Sequence, residues 1–175
     1  SKDVIFAYNL SSAKDLTITQ GANSIVTGGT NGINAQNQGN NGYTTIQTAG
    51  TVIGVNNDGM YVSNTSNGKD ITITQTSGSI EGNTTGIFAI NQGSGATTIV
   101  ADGNVTGKTQ QGIYAESGNT TTGLSITQNT GTVQGDTQGI LSYNTGYGAT
   151  TITTSGNIKG ITSDGILAMN HGSST

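Results

Sequence analysis

The chain has 175 residues, a formal net charge of −4, 29 glycines and no proline, cysteine or tryptophan. Only 8% of its residues are charged and none is arginine, so it reads neither as a charge-rich disordered tail nor as a nucleic-acid binder, which would need clustered cations for phosphate. It has no disulfide framework, its five lysines are too scattered for a membrane-binding cluster, and no apolar run approaches the roughly 20 residues of a spanning helix.

In chain order, the first strand signal is IFAYN at 5–9. An alternating LTIT at 16–19 and SIVTG at 24–28 follow it. Clusters of Gly, Asn, Ser and Thr separate the three, as turn chemistry requires. The same triplet then recurs as INAQN, TTIQ, TVIG; MYVSN, ITIT, SIEG; IFAIN, TTIV, NVTG; IYAES, LSIT, TVQG; and ILSYN, TTIT, NIKG, before the chain reaches ILAMN at 166–170. Glycines open successive copies at Gly32, Gly59, Gly86, Gly112, Gly139 and Gly165, in steps of 27, 27, 26, 27 and 26 residues. A doubled period overlies the single one. GIFAINQGSGATTI (86–99) and GILSYNTGYGATTI (139–152) agree at nine of fourteen positions, 53 residues apart.

No single unit carries enough apolar side chains for a core, but stacked units do. Three strands per unit, each pairing with its own copy one unit later, describe an all-β fold. The expectation is a right-handed parallel β-helix, a three-sided solenoid of about six coils that takes in residues 1–175 as one body. A left-handed hexapeptide helix would show a rhythm of about 18 residues, which is absent.

Strand alternation assigns the faces. In the first strand Ile33 and Ala35, Met60 and Val62, Ile87 and Ala89, Ile113 and Ala115, Ile140 and Ser142, and Ile166 and Ala168 point inward. In the second, Leu16 and Ile18, Ile71 and Ile73, and Leu124 and Ile126 do so, with Thr44, Thr97 and Thr150 at the first inward site of the intervening units. Those threonine hydroxyls need interior partners. The third strand is expected to contribute Ile25, Val52, Ile80, Val105, Val133 and Ile158. On these assignments Ile113→Asp unfolds neighbouring coils, whereas Phe88→Ser leaves the thermal midpoint nearly unchanged. A column of Asn9, Asn37, Asn64, Asn91, Asn144 and Asn170, broken by Ser117, follows the first strand. It reads as structural, a ladder of stacked side-chain amides at a strand-to-turn corner.

Phrases such as GIYAESG, GSIEG and GATTITTSGNIKG resemble the passenger regions of bacterial autotransporters (type V secretion). The resemblance runs along all 175 residues and rests on repeat style. It implies a right-handed β-helix exported to the cell surface or released, with this chain a fragment of a longer passenger that a membrane β-barrel normally follows. Members of that family include adhesins, self-associating aggregation factors and pro-angiogenic agonists of an endothelial growth-factor receptor. The localisation it implies is extracellular or bacterial cell surface.

Other β-helices are polysaccharide lyases and hydrolases, whose sites need clustered carboxylates. Here Asp58, Asp136 and Asp164 fall in the turn before the first strand, and Asp15 and Asp70 precede the second. They read as solvated turns. His171 is the only histidine, so neither a Ser-His-Asp triad nor a multi-histidine metal site is expected. No catalytic residue, metal or cofactor is assigned. Asn-x-Ser/Thr triplets at Asn9, Asn64, Asn83, Asn104 and Asn119 are what chance supplies in a chain this rich in Asn and Thr.

The outward positions of the first strand read Phe6, Asn34, Tyr61, Phe88, Tyr114, Leu141, Leu167 and, in a second row, Tyr8, Gln36, Ser63, Ile90, Glu116, Tyr143, Met169. Core demand does not account for aromatics there, and a contiguous exposed apolar patch marks an interface. Phe6, Tyr8, Tyr61, Phe88, Tyr114, Leu141, Tyr143 and Leu167 form the candidate binding stripe. The expected partner is a host cell-surface protein or receptor, or another copy of the chain. The second strand shows an outward Thr-x-Thr array resembling ice-binding β-helices, from which Gln47, Val100 and Ser125 depart. The strand propensity of threonine accounts for the array.

Overall fold

The structure, a computed structural model, describes residues 2–118 and 120–172. Regular structure among them is entirely β: nineteen strands in three parallel sheets, wound as a right-handed three-sided solenoid of about six coils. The first sheet stacks Ile5–Asn9, Ile33–Asn37, Met60–Asn64, Ile87–Asn91, Ile113–Ser117, Ile140–Asn144 and Ile166–Asn170. The second stacks Leu16–Gln20, Thr44–Thr48, Ile71–Gln75, Ala96–Asp102, Gly123–Thr130 and Ala149–Thr154. The third stacks Ile25–Gly28, Thr51–Gly54, Ser79–Gly82, Asn104–Gly107, Thr132–Gly135 and Asn157–Gly160.

Each strand lies directly over its own copy. Ile87 pairs with Met60 below and Ile113 above, and Asn91 with Asn64 and Ser117. The inward columns are therefore continuous. Ile33, Met60, Ile87, Ile113 and Ile140 are fully buried, beside a second column of Ala35, Val62, Ala89 and Ala115. Ile166 continues the first column but is exposed, because no described coil stacks beyond it.

The third sheet corrects one assignment. Ile25 is 72% exposed, and Val26 is the buried residue that pairs with Val52. Glycine sets this register, since Gly28, Gly54 and Gly82 stand over one another and the residue two before each points inward. The column is glycine for steric reasons. Leaving the third sheet, the chain folds back so tightly that a Cβ on Gly107 would lie 1.9 Å from the Gln111 carbonyl oxygen, and one on Gly54 would lie 1.9 Å from that of Asp58.

The second sheet explains the doubled period. Its first inward column runs Leu16, Thr44, Ile71, Thr97, Leu124, Thr150; its third runs Gln20, Thr48, Gln75, Ala101, Gln128, Thr154. Large and small side chains alternate, so consecutive coils interdigitate at constant spacing. The long member also reaches the next corner. Gln20 Nε2 donates to the Thr51 carbonyl at 2.9 Å, and the Gly156 N–H donates to Gln128 Oε1 at 2.9 Å. The threonines of the first inward column find partners in the asparagine column, whereas the buried Thr48 hydroxyl of the third has none. Thr44 donates to Asn64 Oδ1, and Asn144 donates to Thr150 Oγ1 at 3.2 Å. Where serine breaks that column, Ser117 donates to Thr97 Oγ1 at 2.9 Å. Thr150, in the last described second-sheet strand, is only half-buried.

Two outcomes test this packing. Ser142 occupies the small inward column with a buried hydroxyl that lacks a partner. Ser142→Ala removes that desolvated group and should raise stability by about 1 kcal/mol in urea unfolding. Gly107→Ala drives a methyl into backbone and should lower stability by about 2 kcal/mol or more, while Gly21→Ala, with nothing within 4 Å, should stay within about 0.5 kcal/mol of the parent.

Candidate functional site

The polar side chains at the corners bind the turns of successive coils. At the first corner the asparagine amides donate to backbone rather than to one another. Asn64 Nδ2 reaches the Lys69 and Asp70 carbonyls, both at 3.1 Å, and Asn91 Nδ2 reaches the Lys69 carbonyl at 2.9 Å. Asn37, Asn91, Asn144 and Asn170 accept, through Oδ1, the N–H of the glycine two residues on. Asn9 Nδ2 donates to the Asp15 carbonyl at 2.9 Å. An amide-to-amide ladder is thus replaced by clamps from each amide to its own turn and the turn below. The physical reason is that each turn carbonyl has two lone pairs, at least one of them not used by a strand N–H, and lies within side-chain reach; the Asp70 carbonyl takes both the Thr44 N–H and the Asn64 amide.

The carboxylates require a second correction at Asp58, which is buried, whereas Asp15 and Asp164 are exposed turn acids as expected and Asp70 and Asp136 are half-buried. At the third corner Asp3, Asn31, Asp58 and Thr85 form a column one coil apart. The Asn31 N–H donates to Asp3 Oδ1 (2.8 Å), the Asp58 N–H to Asn31 Oδ1 (3.1 Å) and the Thr85 N–H to Asp58 Oδ1 (3.1 Å). The Thr84 hydroxyl donates to the same Asp58 oxygen. Asp58 is 5% exposed, and burial raises its pKa above the ordinary value despite those bonds. Asp15 accepts the Tyr43 N–H and Asp70 the Ala96 N–H, so these acids cap the next coil's turn. The sequence signal for this column is an Asp or Asn just before Gly-apolar, as at Asn31 and Asp58.

The stripe is assembled in part. Tyr61, Phe88 and Tyr114 stack ring on ring, with centroids 5.5 and 4.7 Å apart and planes within 12°. Leu141 and Leu167 follow in the same register. All five are half-buried. Phe6 (60% exposed) and Tyr8 (40%) lie apart from them, their rings 6.3 Å from each other. Asn34 separates the two groups. It is buried, and its amide donates to Asp3 Oδ2 at 2.8 Å. In the second row Tyr143 leans on His171, with centroids 5.4 Å apart. The Tyr114 hydroxyl donates to Glu116 Oε2 at 2.7 Å, and burial together with that carboxylate raises its pKa above the ordinary phenol value.

Stacking consumes the ring faces, so the central stripe presents ring edges and hydroxyls outward. Phe88 is sandwiched between two rings. Phe88→Ser therefore costs stability, about 1–3 kcal/mol for two lost ring contacts, rather than leaving the midpoint unchanged.

On the second sheet the outward rows Thr17, Thr45, Thr72, Thr98, Ser125, Thr151 and Thr19, Gln47, Thr74, Val100, Thr127, Thr153 lie in register. Among the described residues no group of three or more His, Cys, Asp or Glu is placed to hold a metal ion, and no helix is long and apolar enough to cross a membrane. Lys108 forms an ion pair with Glu81, and the Lys69 ammonium sits 5.9 Å from the Tyr43 ring centroid. Of the Asn-x-Ser/Thr triplets, Asn119 lies outside the described residues. What the first-sheet exterior offers is contact area with hydroxyl, amide and carboxylate groups at its margin.

The Asp58 geometry makes a signed prediction. Below its ordinary pKa of 3.8 the group is protonated in both states and has no linkage effect. As pH rises through the raised value, the folded state holds a proton that the unfolded state has released, and stability falls. Asp58→Asn keeps the acceptor, as Asn31 does one coil below. Its thermal midpoint should gain on the parent's as pH is raised from 3.8 towards neutrality, and the gain should then level off. Asp58→Ala, which leaves the Thr85 N–H unpaired, should be about 1–3 kcal/mol less stable than the Asn variant at every pH.

Comparison with protein-family models, with curated proteins and with solved structures finds no match to this chain.

Proposed function

We propose that this chain is a rod of the autotransporter-passenger type, displayed at the bacterial cell surface or released, that binds a host cell-surface protein or receptor through the exterior of its first sheet. The observation that carries this reading is the row of Tyr61, Phe88, Tyr114, Leu141 and Leu167 on a face that alternates with the core set. Core packing does not require aromatic residues there, and they supply contact area at low entropy cost. The solenoid supports the reading mechanically. Every strand of the first sheet is hydrogen-bonded to its neighbours in register, so the row is preorganised and little ordering free energy is lost on binding. Sparse charge supports it too, because 8% charged residues leave few other means of tight binding. The repeat style adds the export route.

The test compares two surface variants for binding to host cells by flow cytometry. Replacing Tyr61 and Tyr114 with Thr keeps strand propensity and Phe88, and should reduce binding at least about tenfold while circular dichroism still reports β-structure. Replacing Thr45, Thr72 and Thr98 with Ser on the second sheet should leave binding within about twofold, the effect of ordinary surface substitutions. Loss of binding in the threonine variant alone would move the function to the second sheet. Unchanged binding in both would reject a partner face on either sheet.

A further inference from the structure

We propose that the hollow beside the stripe, where the first sheet meets its following turn, is a binding groove for an uncharged, extended β-1,4-linked oligosaccharide. The proposal rests on the reading of the chain as an extracellular binding rod and names a ligand class for it. Two adjoining hollows of about 410 and 340 Å³ share Ser66 and Gln92. The first is bounded by Tyr61, Ser63 and Ile90, the second by Glu116 and the turns of the next two coils. Together they run along the solenoid axis across four coils. Gly118 adds no side chain at the turn beyond Glu116.

Part of the groove's polar lining is spent, since the Thr120 and Thr145 hydroxyls donate to the Gly93 and Ser117 carbonyls, and part is free. Most buried amides and hydroxyls of this chain are committed to its own backbone, as at Asn64 and Asn91. The side chains of Ser63, Ser66 and Gln92 make no hydrogen bond to another described residue, and Glu116 has one oxygen engaged by Tyr114 and one left over. Two hydroxyls, an amide and a carboxylate oxygen thus face the same channel beside the Tyr61 ring edge and the Ile90 side chain. Alternating hydroxyl and C–H surface on a ligand fits that mixture. The repeat fits two coils at a time, because successive rings of an extended β-1,4-linked chain are turned over and its same-face groups recur once every two rings, about twice the coil spacing of 4.8 Å. An extended peptide fits less well, since its side chains on one face recur every 6.8 Å or so. Nor do the interior strands of this sheet leave backbone groups unpaired for strand addition. Glu116, with no lysine beside it in the groove, disfavours an anionic glycan.

The experiment titrates the whole chain, labelled with ¹⁵N, separately with cellohexaose and chitohexaose, with maltohexaose and hexagalacturonate as shape and charge controls. At least one of the two β-1,4 hexamers should shift the amides of Ser66, Gln92 and Gly118 with a Kd of about 1 mM or tighter, at least about tenfold tighter than either control. The double variant Ser66→Ala, Gln92→Ala should keep the parent's thermal midpoint and lose at least about tenfold in that affinity. No binding by either hexamer, shifts confined to another face, equal binding of the controls, or an unchanged Kd in the double variant would overturn the proposal. Cells are assayed in parallel. Cell binding without glycan binding overturns this proposal and leaves the receptor reading standing. Glycan binding without cell binding overturns the receptor reading and leaves the groove.

Discussion

Coil-on-coil stacking in strict register is the constraint on which everything else in this molecule depends. A strand in the middle of any sheet gives all its backbone hydrogen bonds to the copies above and below it. Coil height is therefore set by backbone geometry, at about 4.8 Å, and no side chain can change it. Each inward position must then fill the same slice of space as its copies. Uniform large residues would overfill some columns and uniform small ones would leave voids. The second sheet meets this by alternating Leu or Ile with Thr, and Gln with Thr or Ala. The doubled period is thus a packing solution carried by two coils rather than one.

Corners are the weak points of such a fold, because turn carbonyls and N–H groups lie outside the ladders. Each corner has its own device. The first uses asparagine to clamp turn carbonyls, and the second uses glutamine reaching out from the interior. At the third corner Asp3, Asn31 and Asp58 each accept the N–H of the coil above through a side-chain oxygen, over a glycine column with no room for a methyl group. Asp58 serves there as a structural acceptor held in a partly desolvated place, which accounts for both its burial and its raised pKa.

The same register shapes the exterior. Outward residues stand directly over one another, so three consecutive aromatics become a ring stack whose faces are mutually covered. This joins coil stability to the chemistry of the exposed face. The central rings help hold the coils together and show only their edges to solvent, while the polar groups left free gather at the margin, along the turn. The stacked margin positions carry different side chains, Ser63, Ile90, Glu116 and Tyr143, so each coil offers its own group at the same height along the rod.

Much of this was legible in the sequence. The 26–27-residue rhythm, with three alternating strand signals per unit, determines the parallel solenoid, because only stacked copies bury such sparse apolar residues. The first-strand alternation placed Ile87 inside and Phe88 outside, since a strand's side chains change face at every residue. What failed was local choice. SIVTG offers two apolar residues in adjacent positions, and only the stacked glycine column decides for Val26 over Ile25. Asn34 lay in the outward row yet is buried, because Asp3 from the preceding coil comes over it. Asp58 resembled any turn acid until the Thr85 N–H was brought onto it from 27 residues away. By itself the sequence determined period, strand alternation and fold class, which are properties of one unit and its copies. Only the tertiary structure decided which corner acids are buried, which rings cover one another and which polar groups remain free. Those depend on contacts between different positions in successive coils, and a pattern read along a single chain does not contain them.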